Sequence, residues 1–434
     1  MTRSDQNAVP PAAAAPGSVP RGDWTTWLLI GATGFGGPAG QVAILHREVV
    51  DRHRWLDEEE FLAAMRLCML LPGPEAQQLA TYSGWRRGGL AGGLLAGTLF
   101  VVPGALLVTA LAWLHAAGGR LPLVAAAFAG TRPAVVALVA LAAWRIGRKS
   151  LTSATSVVIA AVAAAALAAG VSFPLVVLVA GGLGFLLPAG PAAPPTGHGA
   201  AAGATPPAST TADGPALGHA LVTMLAWTAA WAGLFLLVAW LRLAGGRGIE
   251  LARLFTETTL LSLGGAYAVV PWALDESVAR GWLAPPERFD SLAMGEATPG
   301  PLILVVTFIG FLAGWKTADT GSATAGLEGA AVATLFAFLP SFAMIFALAP
   351  LVRRIRPGSG IGRAMAAVGA AVVAAIGLLG LRLAVAAFLP EGRFEPLTVA
   401  VAAASGIALV RGWATTPVVV AAAAAVGVVV AWCT

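Results

Sequence analysis

The sequence predicts an all-α polytopic membrane protein built from two inverted-topology repeats with discontinuous helices. The expected span count is about 13, arranged as six, one and six, with roughly 10–12 as the lower alternative. Three observations lead there. Hydrophobic residues make up 58% of 434 residues and charged residues 11%, and the mean hydropathy is +0.82, too apolar for a soluble chain of this length. Apolar stretches near the ~20-residue length of a membrane helix recur along the chain. A Pro-Gly-Pro interruption occurs twice inside helix-compatible sequence, at Pro72-Gly73-Pro74 and at Pro299-Gly300-Pro301. Each proline lacks an N–H and clashes with the preceding turn, so the helix must break there.

Composition also removes whole classes of function. The net charge is +5, an excess that in a membrane protein sits in cytoplasmic Lys/Arg loops. No basic cluster is interleaved with aromatics, so no nucleic-acid partner is expected and lipid is the expected surround. Cys68 and Cys433 are far apart in apolar sequence, which implies neither a disulfide framework nor a thiolate metal site, and no cofactor is expected.

Taken in order, residues 1–22 read as an Ala/Pro-rich disordered tail without the apolar core of a signal peptide. The first transport repeat, 23–188, holds apolar stretches at 24–45, a broken pair at 61–85, and further stretches at 90–114, 122–144, 152–169 and 171–188. The last two are short and depend on tilt or thinning. Residues 189–218 carry no Lys or Arg and have linker composition. A connecting span follows at 219–243, and the second repeat, 249–434, runs through 252–274, a broken pair at 289–315, then 323–349, 362–388, 397–411 and 415–432.

The halves match beyond the breaks. Phe35-Gly36-Gly37 answers Leu263-Gly264-Gly265, Arg54-Trp55-Leu56 answers Gly281-Trp282-Leu283, and Thr98-Leu99-Phe100 answers Thr334-Leu335-Phe336. Such a repeat is a transporter signature, because two copies of one bundle place a site at their interface. The basic clusters Arg145, Arg148, Lys149 and Arg353, Arg354, Arg356 fall at non-equivalent repeat positions, yet the positive-inside rule puts both in the cytoplasm, so the repeats are inverted. Parity then favours a full crossing by 289–315. That topology leaves Arg47, Arg52 and Arg54, with Arg242, Arg247 and Arg253, on the opposite side.

Gly34-Phe-Gly36-Gly37-Pro38-Ala39-Gly40 fits the dinucleotide fingerprint only superficially, because that fingerprint needs a preceding strand. Gly36 with Gly40, and Gly310 with Gly314, read as GxxxG pairs for close helix approach. His46-Arg-Glu-Val-Val-Asp-Arg-His53 lacks any metal-ligand spacing and reads as a solvated charged face, although His46 and Arg47 sit where a cationic funnel or gate is conceivable.

Glu75 and Glu296 are the informative charges. Each flanks a break inside an apolar run, where a carboxylate is expensive and usually functional, and each suits a group that takes up and releases a proton. A helix N-cap is the structural alternative for Glu75. Gln77, Gln78 and Thr298 add uncharged donors suited to an oxyanion. The anion would sit between the breaks, at the helix N-termini that begin at Pro74 and Pro301.

Phe35-Gly-Gly-Pro-Ala-Gly-Gln41, His46-Arg-Glu-Val-Val with Arg54-Trp55-Leu56, Leu70-Leu-Pro-Gly-Pro-Glu-Ala-Gln-Gln78, Gly264-Gly-Ala-Tyr-Ala268 and Glu296-Ala-Thr-Pro-Gly-Pro-Leu302 closely resemble the long, two-domain members of the chromate ion transporter (CHR) family. The resemblance spans about 24–115 and 250–350. It extends the substrate-binding set to Gly36, Gly37, Pro38, Gln41, Gly264, Gly265 and Tyr267, alongside Pro72, Gly73, Pro74, Pro299, Gly300 and Pro301. What it implies is a multi-pass carrier of the bacterial inner membrane that exports chromate, a sulfate-like dianion, and confers chromate resistance, with sulfate as a candidate competitor and a homodimer as a candidate assembly. The one departure is Ala297, where Thr is expected. The alternatives are a cation or proton exchanger using Glu75 and Glu296, an intramembrane enzyme, which would need a nucleophile and base that the breaks lack, and a non-transporting scaffold.

Overall fold

The computed structural model describes residues 23–118, 121–186, 214–263, 265–318, 321–354 and 360–433. The tail 1–22, most of the linker, Gly264 and Arg356 lie outside the described residues. Every regular element among those described is helical. The first half comprises α1 (Asp23–Thr33), α2 (Gly37–His46), α3 (Glu58–Leu70), α4 (Glu75–Gly118), α5 (Pro122–Ser150), α6 (Ala154–Ala168) and α7 (Phe173–Leu186). After α8 (Gly214–Leu241), the second half comprises α9 (Gly248–Leu260), α10 (Ala266–Ala279), α11 (Glu287–Ala297), α12 (Val305–Trp315), α13 (Ala323–Leu348), α14 (Gly360–Phe388), α15 (Pro396–Arg411) and α16 (Thr416–Cys433). Local sequence sets the starts: Asp57 caps α3 by accepting from Glu60 N–H at 2.7 Å, Ser153 and Ser156 form a capping box on α6, and Pro38 opens α2 where a missing N–H costs nothing. Six of the described helices are long and apolar enough to cross a membrane, which makes this a polytopic membrane protein.

Both Pro-Gly-Pro segments double back. Tyr82 donates to Glu60 at 2.9 Å, and Arg86 pairs with the same carboxylate, although one straight helix would hold residues 60 and 86 ~39 Å apart at 1.5 Å per residue. Lys316 likewise pairs with Glu287 across the second break. Each break is therefore the tip of a helical hairpin, α3 with the first arm of α4, and α11 with α12. This overturns the expectation that 289–315 crosses as one discontinuous helix, and with it the count of six plus one plus six. The cause is local. Leu71 (ψ 145°) and Thr298 (ψ 153°) are extended ahead of proline, and Gly73 (φ 124°) and Gly300 (φ 101°) then turn left-handed, a conformation only glycine takes freely. The chain is reversed, not kinked.

Two stretches read from hydropathy as single spans are hairpins too. In 24–45 the chain turns at Gly36 (φ 96°) and Gly37 (φ 67°), so that Trp27 returns to within 5.2 Å of Trp55, whose N–H bonds Val49 O just beyond α2. In 252–274 it turns at Gly265 (φ 102°), bringing Arg280 at the end of α10 to 4.0 Å from Glu250 at the start of α9. Gly36 is consequently an exposed turn residue and not half of a GxxxG packing pair. Gly310 and Gly314 do pack as expected, facing Gly329 and Ala325 of α13.

The helices long enough to cross among the described residues are the second arm of α4, which starts at the Gly88-Gly89 turn, with α5, α8, α13, α14 and α16. Counterparts in the two halves run antiparallel. Gly93 and Gly97 of α4 meet Phe346 and Phe342 of α13, while Gly147 and Ser150 of α5 lie beside Val373 and Gly369 of α14. One close crossing occurs twice: Gly84 against Gly92 and Ala96, and Gly310 against Gly329 and Ala333. Each half also lends its last two helices to the other, since α6 and α7 pack on α14 whereas α15 and α16 pack on α5. The contact of Ser150 with Gly369 places the basic end of α5 at the same end of the molecule as the N-terminus of α14. Arg87, next to the Gly88-Gly89 turn, pairs with Asp23 at 2.8 Å and lies over Trp55. The bases of the first two hairpins, with Arg47, Arg52 and Arg54, are therefore at that end as well and not opposite it. Hairpin reversal removes the conflict that the parity argument created.

A side chain cannot enter the two repeated crossings without separating the helices. Gly84→Val and Gly310→Val should each cost about 1–3 kcal/mol, the usual penalty for overpacking, read as a lowered thermal midpoint of the purified protein in detergent. A midpoint equal to wild type in both would show that these crossings do not hold the hairpins.

Candidate functional site

Hairpins from opposite ends meet tip to tip. The α1–α2 and α3–α4 hairpins start from the Gly89 end. The other two start from the opposite end, because Lys316 leads into α13, which is antiparallel to α4, and Gly245 abuts Thr317. At one meeting point Gly300 N–H donates to Gly34 O at 3.1 Å. Gln41 Nε2 reaches both Gly34 O (3.2 Å) and Gly300 O (2.6 Å). Gly104 of α4 lies under the same tip, where a Cβ would strike Pro299 O. At the other meeting point, a Cβ on Gly265 would lie 3.6 Å from Glu75 Oε1, and Ser341 of α13 presses on Gly73.

Four helix N-termini, those of α2, α4, α10 and α12, thus begin at these tips. First-turn N–H groups have no intrahelical acceptor, so each N-terminus is an anion-binding element. Each tip also carries a helix C-terminus, whose carbonyls oppose that field. Amide side chains occupy them: Gln41 as above, and Gln78 Nε2 on Pro72 O at 2.8 Å. Ser341 Oγ is buried beside Gly73 without a partner, as are the Oε1 atoms of Gln77 and Gln78.

The two carboxylates differ in company. Glu296 accepts from Tyr267 Oη, while Glu75 faces the α9–α10 tip. Positive charge reaches both from α5, since Lys149 acts on Glu75 and Arg145 on Glu296 and Tyr267. A site at the tips therefore combines N–H and O–H donors, two carboxylates and two nearby cations. That chemistry suits a small oxyanion whose charge is balanced by proton uptake.

Of the expected site residues, the structure brings together Gln41, Pro72, Gly73, Pro74, Gln77, Gln78, Gly265, Pro299, Gly300 and Pro301, with Glu75, Glu296 and Tyr267, whereas Gly37 stays in the turn into α2 with no neighbour facing it. Thr298 turns its hydroxyl to Met294 O at 2.7 Å, a helix-end bond that leaves no donor for a ligand. His46 is held by Glu58 at 2.6 Å and Asp51 at 3.4 Å, and Arg47 pairs with Glu48 at 3.2 Å. Both belong to the charged base of the hairpins, and neither bonds a break. Gly36 and Pro38 form the turn into α2, and Gly264 lies outside the described residues. Sequence reasoning missed Ser341, Gly104, Arg145 and Lys149. The usable signal was Pro103-Gly104 answering Pro340-Ser341 in matching helices.

Comparison with known proteins agrees with the geometry. The family model described as "Chromate transporter" matches residues 24–185 and 249–428. The chain is 32% identical over 420 residues to the "Chromate transport protein" of Pseudomonas aeruginosa, covering 95% of this chain and 91% of that protein. It is 29% identical over 332 residues to the "Probable chromate transport protein" of Synechococcus elongatus, covering 76% and 75%. With the "Chromate transport protein" of Cupriavidus metallidurans it shares 27% over 356 residues, covering 80% and 79%. No solved structure matches this chain.

Among the described residues, Gln41 is the one side chain bonded to both members of a tip pair. Gln41→Leu should strand the Gly300 carbonyl at about 1–3 kcal/mol, because Gly34 O keeps its bond from Gly300 N–H, lowering the thermal midpoint and abolishing transport, whereas Gln41→Asn should lose transport with a smaller loss of stability. Wild-type stability and flux in the Leu variant would remove Gln41 from the site.

Proposed function

This chain belongs to the chromate transporter family, and we propose that it is a secondary transporter that exports chromate across the bacterial inner membrane and so confers chromate resistance. Family membership supports chromate as the transported ion and a transporter in place of an enzyme. The observation that carries the reading is the meeting of four helix N-termini at hairpin tips entering from opposite ends. First-turn N–H donors there hold an oxyanion by partial charges, with the cations of α5 acting on the carboxylates, which lets the ion leave again. No G-x-x-x-x-G-K-[ST] motif occurs in the sequence, so the driving force we propose is an ion gradient or the membrane potential. The antiparallel counterpart helices and the crosswise exchange of terminal helices support an inverted repeat, with the basic end of α5 in the cytoplasm.

Glu75 and Glu296 are the proposed proton carriers. A dianion and an ionised carboxylate close together in a low dielectric repel strongly, so anion binding and protonation would be linked. A second reading, cation exchange, draws support from the unpartnered oxygens of Gln77, Gln78 and Ser341 around Glu75. Chromate uptake into inverted vesicles, with and without a pH gradient and with excess sulfate, separates the two. A cation exchanger would leave chromate outside under every condition.

Gly73→Leu and Gly300→Leu should each abolish chromate flux while membrane abundance stays near wild type, because the side chain fills the space between tip and opposing helix. Full flux in both variants would reduce the tips to structural turns. Glu296→Gln, a mimic of the neutral acid, should retain chromate binding and lose the pH dependence of flux between about pH 5.5 and 8, the range open to a perturbed carboxylate. A wild-type pH profile would move the coupling role to Glu75.

A further inference from the structure

A second polar feature lies away from the tips. A cavity of about 560 Å³ opens between α5 of the first half and α11, α14, α15 and α16 of the second. Its walls are mostly apolar, but Arg132, Arg288 and Arg382 line it, with Glu395 as the one carboxylate among its lining residues. The three guanidinium groups are incompletely neutralised. Arg288 and Arg382 share a single carboxylate, Asp275, at 3.1 and 2.9 Å. Arg132 acts on Asp290, but that carboxylate lies 3.8 Å from His115, and among the described residues Arg132 has no ion pair. The Nε–H groups of Arg132 and Arg288 are buried and have no acceptor.

Buried guanidinium donors left without acceptors are costly, and a cationic side chain among membrane helices usually marks a ligand. The placement is also directional. Arg288 opens α11, and the Pro299 break closes it, so the cavity lies about 15 Å along that helix from the tips at 1.5 Å per residue. It sits at the end of the molecule opposite Lys149, because α5 runs from Arg132 towards Lys149.

We propose that this cavity is a second anion site, in which Arg132, Arg288 and Arg382 bind a tetrahedral oxyanion group at the end opposite the basic end of α5. Planar guanidinium forks match such a group better than ammonium does. Two sources supply that chemistry: the transported ion in transit, and the phosphate of an anionic phospholipid whose tail lies on the apolar wall. Only the first source rests on the chromate reading above.

The test uses the full-length protein in nanodiscs of phosphatidylcholine, with and without phosphatidylglycerol. Radiolabelled chromate binding gives stoichiometry and affinity, and native mass spectrometry gives retained lipid. In neutral lipid, Arg132→Gln with Arg288→Gln should remove one of two bound chromates, or weaken the second by tenfold or more, while the tip site persists. Glu395→Gln, at the exposed rim, should tighten the same site about threefold by removing a repulsive charge, a gain that misfolding cannot produce. If phosphatidylglycerol is the occupant, the double variant loses retained lipid and chromate stoichiometry is unchanged. Unchanged chromate binding together with unchanged lipid retention in the double variant would overturn the proposal. Wild type that binds no chromate, yet loses phosphatidylglycerol on substitution, would sink the transport reading and leave this site standing.

Discussion

The constraint on which the architecture depends is that a chain reversed inside a membrane exposes backbone groups that lipid cannot satisfy. Four hairpins create that problem, and opposing them tip to tip resolves it. The Gly300 N–H finds Gly34 O, and the two carbonyls of that pair share the amide of Gln41. Pro72 O takes the amide of Gln78. The tips must be narrow to approach one another and the long helices, which is why Gly104 abuts Pro299 and why Gly73 fits under Ser341. Glycine therefore does two different things here. At Gly73 and Gly300 it supplies a backbone conformation, and at Gly84, Gly104 and Gly310 it supplies space.

Satisfying the carbonyls has an electrostatic consequence. A hairpin tip joins the negative end of one helix to the positive end of the next, so an unmodified tip has little net preference for either sign of charge. Amide donors on the carbonyls leave the first-turn N–H groups as the available partners, and the preference becomes anionic. Lys149 and Arg145 reinforce it, while Glu75 and Glu296 oppose it. A site balanced in this way can change its affinity by moving one proton, which fixed charge alone would not permit.

Much of this was legible in the sequence, and the rest was hidden for identifiable reasons. Composition established the membrane class, and the paired Pro-Gly-Pro segments located the tips. Hydropathy could not tell a helix that crosses from two short helices that double back, because both are apolar runs of similar length. Gly36-Gly37 and Gly265 carried the reversal, but glycine in an apolar run equally signals helix packing, as Gly310 and Gly314 in fact do. Ser341 and Arg145 belong to the site only through a contact or charge acting between the halves, and Lys149 through charge from a helix far along the chain from Glu75, which no local pattern records. The two similar crossings set Ala96 against Ala333, one step out of register with the sequence pairing of Thr98 to Thr334.

The two meeting points are built alike but are not equally secured. Gly34 and Gly300 share a backbone hydrogen bond and the Gln41 amide, whereas Gly265 faces Glu75 across a gap with no such bond recorded between described residues. Counting from the turn glycines, Gly37 corresponds to Gly265, and Gln41 therefore to Val269, which is buried and has no donor to offer. The latch at one tip cannot be reproduced at the other by exchanging the conformations of the halves. An inverted repeat with identical halves would have two access states of equal energy. Here one meeting point carries an amide latch that the other cannot form, so the two tip pairs are not interchangeable and any exchange between them starts from unequal energies.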